Sequence, residues 1–144
     1  MSFPTAITDS INAWRGADIK LLPPATPEFV LTVWKQLHQE LSQDIVALYT
    51  AVGGFANDTY YDQHMWSLWS LEKIVKENTR DSPRGVLFSD FLIFSHFFAL
   101  RYEAPDRSSV WIDHGTVDET TRVASSIHHF LQLYLHDPDK LLLL

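Results

Sequence analysis

The sequence predicts a single α+β domain in which an antiparallel sheet packs against about four to five helices. Three observations support this fold class. Apolar residues recur at steps of three and four in the first third of the chain and near its end, which is typical of amphipathic helices. Short apolar runs bounded by polar turns lie between residues 65 and 112, which is typical of strands. Neither an internal repeat nor a linker divides the 144 residues, so one domain accounts for the chain.

The first 24 residues are predicted to form a helix and a connector that precede the main α+β unit, residues 25–144. Apolar residues at helical spacing indicate the helix, at Ile7, Ile11 and Trp14. The Pro23-Pro24 pair then holds the chain extended, because two successive prolines remove two backbone donors.

Capping residues and apolar stripes predict four helices in the main unit. Thr26 is a favourable N-cap, and Glu28 lies in the first turn, where negative charge complements the helix dipole. Ser42 and Ser70 are candidate caps of the same kind. The predicted helices cover residues 26–41, 42–52, 70–78 and 121–136. The glycine pair at 53–54 is expected to end the second of these helices, because a phosphate-binding glycine loop would follow a strand and open a helix.

Three segments are predicted to supply the strands. A short buried strand is expected at residues 65–69, which contain two tryptophans. Residues 86–102 are dense in Phe, Leu and Ile, and this run is long enough for two short strands. Residues 110–112 are flanked by polar turns and are expected to form a hairpin with the segment around Leu100. The residues expected to be buried are Trp34, Leu48, Trp66 and Ile127.

The charge and hydropathy of the chain exclude two classes of partner. The chain carries 11 Lys and Arg against 18 Asp and Glu, a formal charge of −7. A negative field repels phosphate backbones, and no basic run provides a local exception, so no nucleic-acid partner is expected. The longest apolar stretch, residues 86–100, is shorter than the roughly 20 residues that span a bilayer. The sequence therefore predicts a soluble, cytoplasmic protein with no membrane partner.

Metal, cofactor and catalytic chemistry are not predicted. The chain has no cysteine, and its seven histidines lack the His-x-x-x-His spacing with an intervening Glu, so no metal site is expected. Ser, His and Asp residues are present, but no Gly-x-Ser-x-Gly elbow accompanies them. We therefore expect no cofactor and no catalytic residues, and the protein is predicted not to be an enzyme.

Two groups of residues are candidates for binding. An exposed loop is predicted to combine acidic and aromatic side chains suited to a protein partner, namely Asp58, Tyr60, Tyr61 and Asp62. Six further aromatic residues could line a small-ligand pocket, although core packing is their favoured use: Trp66, Trp69, Phe94, Phe97, Phe98 and Trp111.

The order of segments is shared with a known superfamily. Residues 41–49 lead through a helix to the glycine pair at 53–54, and residues 65–74 join a Trp-containing strand to a helix that opens Ser-Leu-Glu. The later strands and the terminal helix are matched by residues 87–92, 95–101, 110–115 and 123–126. From about residue 25 to its C-terminus the chain thus resembles the SUKH superfamily, the Smi/Knr-like domains of fungal cell-wall regulators and bacterial toxin-immunity proteins.

The resemblance implies an α+β fold and a protein-binding role without catalysis. Immunity members of this superfamily sequester a toxin domain, and a charge of −7 would speed association with a basic partner. We therefore expect an immunity-type protein whose partner is a basic toxin domain. Two alternatives stay open, a regulatory or scaffold module of the Smi/Knr type and a small-ligand binder that uses an aromatic pocket.

Overall fold

The computed structural model describes residues 1–57, 60–78, 85–92, 95–113 and 120–141. Within these ranges the chain forms five α-helices, one short 3-10 helix and one five-stranded antiparallel sheet. The predicted fold class, an α+β domain with four to five helices on an antiparallel sheet, is confirmed. Among the described residues, no helix has the length and apolar content needed to cross a bilayer.

Side-chain caps fix where most of the helices begin. The helices are α1 Phe3–Gly16, α2 Pro27–Gln36, α3 Gln43–Tyr49, α4 Leu71–Glu77, α5 Ile127–His136 and the C-terminal 3-10 helix Pro138–Leu141. The hydroxyl groups of Ser2, Thr26, Ser70 and Ser126 each accept a hydrogen bond from the backbone N–H three residues later. Each cap satisfies one of the backbone donors that the first turn leaves unpaired.

The five strands follow one another in the sheet in the order of the sequence. They are β1 Trp66–Leu68, β2 Val86–Phe91, β3 His96–Ala104, β4 Arg107–Asp113 and β5 Thr120–Ala124, and every neighbouring pair is antiparallel. The predicted Trp-containing strand and the two strands within residues 86–102 are confirmed. The predicted hairpin is also confirmed, because Leu100 of β3 faces Val110 of β4.

The prediction of a helix over residues 121–136 is wrong in its first part. Thr120–Ala124 forms β5 at the edge of the sheet, and α5 begins only at Ile127. β-Branched residues dominate this strand, and they favour extended backbone. Ser126 then starts the helix by accepting a hydrogen bond from the backbone N–H of His129 at 3.0 Å.

The glycine pair does not end a helix, and instead allows the connector to pack closely against the main unit. α3 already ends at Tyr49, and Gly53 lies against the proline-containing connector, where an added Cβ would come within 2.4 Å of the Pro23 carbonyl oxygen. The backbone N–H of Gly53 donates to the Leu22 carbonyl, and the N–H of Leu22 donates to the Gly54 carbonyl. The connector is therefore bound to the main unit at a place where no side chain fits.

One core joins the N-terminal helix to the rest of the domain. α1 packs against α5, α3 and α5 pack against β4, and α4 packs against β2. Trp14 of α1 is fully buried in the same cluster as the residues of the main unit. The four residues expected to be buried are all at least 97% buried, at Trp34, Leu48, Trp66 and Ile127.

A buried carboxylate connects the starts of three elements. Asp44 of α3 accepts hydrogen bonds from the Ser42 hydroxyl, from the backbone N–H of Ser108 in β4 and from the backbone N–H of Ile127 in α5. Its side chain is only 5% exposed. Burial raises the pKa of Asp44 above its ordinary value of 3.8, although the surrounding hydrogen bonds act in the opposite direction.

We expect the stability difference between the wild type and Asp44→Asn to grow as the pH falls from about 7 towards about 4. Because the folded-state pKa of Asp44 is raised, this carboxyl group binds more proton in the folded protein than in the unfolded chain just above pH 3.8, so acidification through this window raises its contribution to the stability of the wild type. At about pH 7 the variant should lose about 1 to 3 kcal/mol, because its amide nitrogen cannot accept a backbone N–H. Denaturant unfolding at several pH values measures both effects.

The exposed carboxylate of Asp9 on α1 supplies the control for this experiment. Asp9→Asn removes one negative charge without removing a buried hydrogen-bond network. A wild-type advantage over Asp44→Asn that stays constant with pH would contradict the raised pKa of Asp44.

Candidate functional site

A cavity of about 280 Å³ opens beside β1 and the end of β2. Its wall also includes residues of β3, α5 and the C-terminal 3-10 helix, and the lining residues are His64, Trp66, Phe91, Phe98, Tyr134, Pro138, Asp139 and Leu141. An apolar cavity of about 150 Å³ holds a benzene ring, whereas pockets for drug-sized ligands begin near 300 Å³. The cavity therefore has room for one large side chain or one small molecule.

Aromatic rings in mutual contact form most of the wall. The Trp66 and Tyr134 rings lie 4.7 Å apart between centroids, and His64 meets Tyr134 edge-on at 6.0 Å. Trp14 stacks on the far side of Trp66 at 5.7 Å. Such contacts add to the stability gained from burial, and Trp66 and Tyr134 belong to the buried core.

The Asp62 carboxylate positions three of the lining residues. One of its oxygens accepts the backbone N–H groups of His64 and Trp66, at 2.8 and 3.0 Å, and the other accepts the Tyr134 hydroxyl. The Tyr134 oxygen in turn accepts the indole N–H of Trp14 at 2.8 Å. Asp62 thereby ties the turn before β1 to α5 and, through Tyr134, to α1.

The Tyr134 hydroxyl acts as a structural donor. Burial raises the pKa of Tyr134 above its usual value, and the negative charge of Asp62 and the hydrogen bond to it raise it further. The phenol therefore stays protonated and donates to Asp62. Its oxygen also accepts the indole N–H of Trp14, so this hydroxyl links Asp62 to α1 within the wall.

A second buried carboxylate fixes the end of β2 next to the cavity. Asp90 is fully buried and accepts hydrogen bonds from the Tyr61 hydroxyl and the Trp69 indole N–H, both at 2.6 Å. Asp90 directly precedes Phe91, which lines the cavity. The segment 60–62 thus contributes two hydrogen-bonding groups next to the cavity wall, the Tyr61 hydroxyl and the Asp62 carboxylate.

In the predicted partner-binding loop, Asp62 has a structural role instead of an exposed one. Asp62 is 4% exposed, so the expectation that it presents charge to a partner is wrong. Tyr60 and Tyr61 are half-buried, Tyr60 packs against the core, and Asp58 lies outside the described residues. The available signal was the turn Asp62-Gln63-His64, in which an aspartate side chain accepts the N–H two residues later.

The six candidate aromatic residues separate into three groups. Trp66 and Phe98 line the cavity, as the small-ligand alternative expected, and Phe94 lies outside the described residues. The others are Trp69, which is buried beside Asp90, and the half-buried Phe97 and Trp111. The sequence carried no signal for Tyr134 or Leu141, because both reach the cavity from the distant C-terminal segment.

Two exposed apolar residues directly adjoin cavity-lining residues in the sequence. Met65 and Leu92, here called the rim pair, are 37% and 45% exposed, and the backbone N–H of Leu92 donates to the Met65 carbonyl at 2.9 Å. Met65 lies between two lining residues in the sequence, and Leu92 follows a third. Both adopt left-handed backbone, with φ of 61° and 52°, which is uncommon for bulky side chains and costs about 1 to 2 kcal/mol per residue.

No protein-family model matches the chain, and no curated protein matches it either.

We expect Asp62→Ala to lower the free energy of unfolding by about 3 kcal/mol, because it leaves two backbone donors and the Tyr134 hydroxyl without their acceptor. Asp139→Ala removes an exposed carboxylate at the same cavity and should cost less than about 0.5 kcal/mol. Denaturant unfolding compares the two variants. Equal and small losses would contradict the supporting role of Asp62.

Proposed function

We propose that this chain is a non-enzymatic protein-binding domain of the immunity type, which sequesters a basic toxin domain in the cytosol. The resemblance to the SUKH superfamily and the charge of −7 motivate the choice of partner. The observation that carries the proposal is the exposed rim pair, whose members adjoin residues that line an aromatic cavity. A cytosolic location suits a chain without cysteine, since no disulfide has to form.

The rim pair has the properties of an interface centre. Two bulky apolar side chains are exposed to water, and both lie on strained backbone. The strain lowers the stability of the fold, as is typical of residues that serve a function. Covering apolar surface gains about 25 cal/mol per Å². The cavity next to the pair can receive an anchoring side chain, and anchors seated in pockets with apolar surroundings dominate the affinity of protein interfaces.

A small-ligand binder is the second candidate, and the cavity itself favours it. Its volume of about 280 Å³ and its aromatic wall suit one small aromatic molecule. This function would not require the exposed rim pair, which is the feature that separates the two candidates.

The double variant Met65→Asn, Leu92→Asn tests the proposed interface. Asparagine tolerates left-handed backbone, so the change removes apolar surface without adding strain. We expect stability to fall by no more than about 0.5 kcal/mol, while the complex with a basic toxin domain encoded next to the chain dissociates at least about tenfold faster. Denaturant unfolding and surface-based binding kinetics measure the two effects.

The chain offers a matched control on α2. Phe29 and Leu31 are 41% and 43% exposed, and Phe29→Asn, Leu31→Asn removes comparable apolar surface away from the cavity. The control variant should bind the toxin domain with the wild-type rate of dissociation. Equal kinetics for the rim variant and the wild type, or no complex between the wild type and the toxin domain, would overturn the proposal.

A further inference from the structure

The wall of the cavity has the composition of a cation site. Four of its described lining residues are Trp, Tyr or Phe, one is His64, one carries a carboxylate, and none is a lysine or arginine. Aromatic faces attract cations through their negative quadrupole, and a carboxylate adds direct charge attraction. An anion would meet the same carboxylate with no lysine or arginine in the described wall to offset it.

The carboxylate in question belongs to Asp139, which is exposed on the C-terminal 3-10 helix. The nearby cation Lys140 is 3.5 Å from the Asp137 carboxylate. No hydrogen bond or ion pair engages Asp139 within the part of the chain that the structure describes. Its charge is therefore available to a group that enters the cavity.

We propose that the cavity takes an arginine side chain of the partner, with its alkyl stem against the aromatic wall and its guanidinium group next to Asp139. This inference rests on the proposed protein-binding function and adds the chemistry of the anchor. Arginine fits better than lysine because a guanidinium group is planar, stacks on aromatic faces and gives up its hydration more readily than an ammonium group.

The domain contains an example of the same contact. The Arg101 guanidinium carbon lies 3.8 Å from the centre of the Trp111 ring, across the β3–β4 pair. A partner arginine in the cavity would find several such faces and a carboxylate in one place. A net charge of −7 also favours the approach of a basic surface before the anchor is seated.

The test uses the intact ¹⁵N-labelled protein without its partner and three probes of similar length: butylguanidinium, butylammonium and 1-pentanol. The indole N–H of Trp66 reports on binding, because it is buried in the wall without a hydrogen-bond partner in the described structure. We expect butylguanidinium to shift this resonance at the lowest concentration, butylammonium at a higher one, and 1-pentanol at the highest.

Three variants test the contributions of charge and of cavity volume. Asp139→Asn should weaken butylguanidinium binding about threefold to fivefold and leave 1-pentanol unchanged, whereas Asp106→Asn, at the exposed turn between β3 and β4, should change neither. Leu141→Trp should fill the cavity and abolish the response to every probe. The dispersion of the amide spectrum confirms that each variant is folded.

The possible outcomes separate this inference from the proposed function. Tighter binding of 1-pentanol than of butylguanidinium, or an unchanged butylguanidinium affinity in Asp139→Asn, would overturn the arginine anchor even if the rim variant loses the toxin domain. No response of the folded protein to any probe would overturn it as well. Selective butylguanidinium binding that depends on Asp139 supports the anchor, and the kinetics of the rim variant decide separately whether a protein partner uses this surface.

Discussion

The contact on which the candidate site depends is the hydrogen bonding of the Asp62 carboxylate. Asp62 and Tyr134 are 72 residues apart in the sequence, and Tyr134 and Trp14 are 120 apart. This short chain of donors and acceptors joins the turn before β1, the last α-helix and the first one. An unpaired carboxylate at this depth would be costly, so the three segments hold one another in place. The shape of the cavity follows from that arrangement.

Some of the acidic residues of this chain are buried and have structural roles, whereas others are exposed at the surface. At least four of its 18 acidic residues are buried, at Asp44, Asp62, Asp90 and Asp113. Asp44 and Asp62 each accept backbone N–H groups that would otherwise lack a partner. The net charge describes the field that a distant partner meets, while the contacts of each carboxylate decide whether that partner can touch it.

The fold could be predicted from the sequence to the extent that its signals are local. Thr26 and Ser70 cap helices through contacts within four residues, and the Leu100–Val110 hairpin closes across a short turn. The start of α5 was placed wrongly because residues 120–124 suit either a strand or a helical stripe, and only pairing with β4 decides between them. For Asp62 the signal is only partly local: the turn in which its side chain accepts the N–H of His64 lies within three residues, whereas its contact with the Tyr134 hydroxyl depends on packing between residues 72 apart in the sequence.

The sequential order of the strands has a consequence for how the domain folds. Each strand pairs with the next one along the chain, so the sheet assembles through closures of short segments, which cost little entropy and are fast. Contacts between α1 and α5 join opposite ends of the chain and carry the largest closure cost. A growing or partly refolded chain can therefore possess its complete sheet before the aromatic wall is closed, and the cavity takes its final shape only when α5 and the C-terminal 3-10 helix dock.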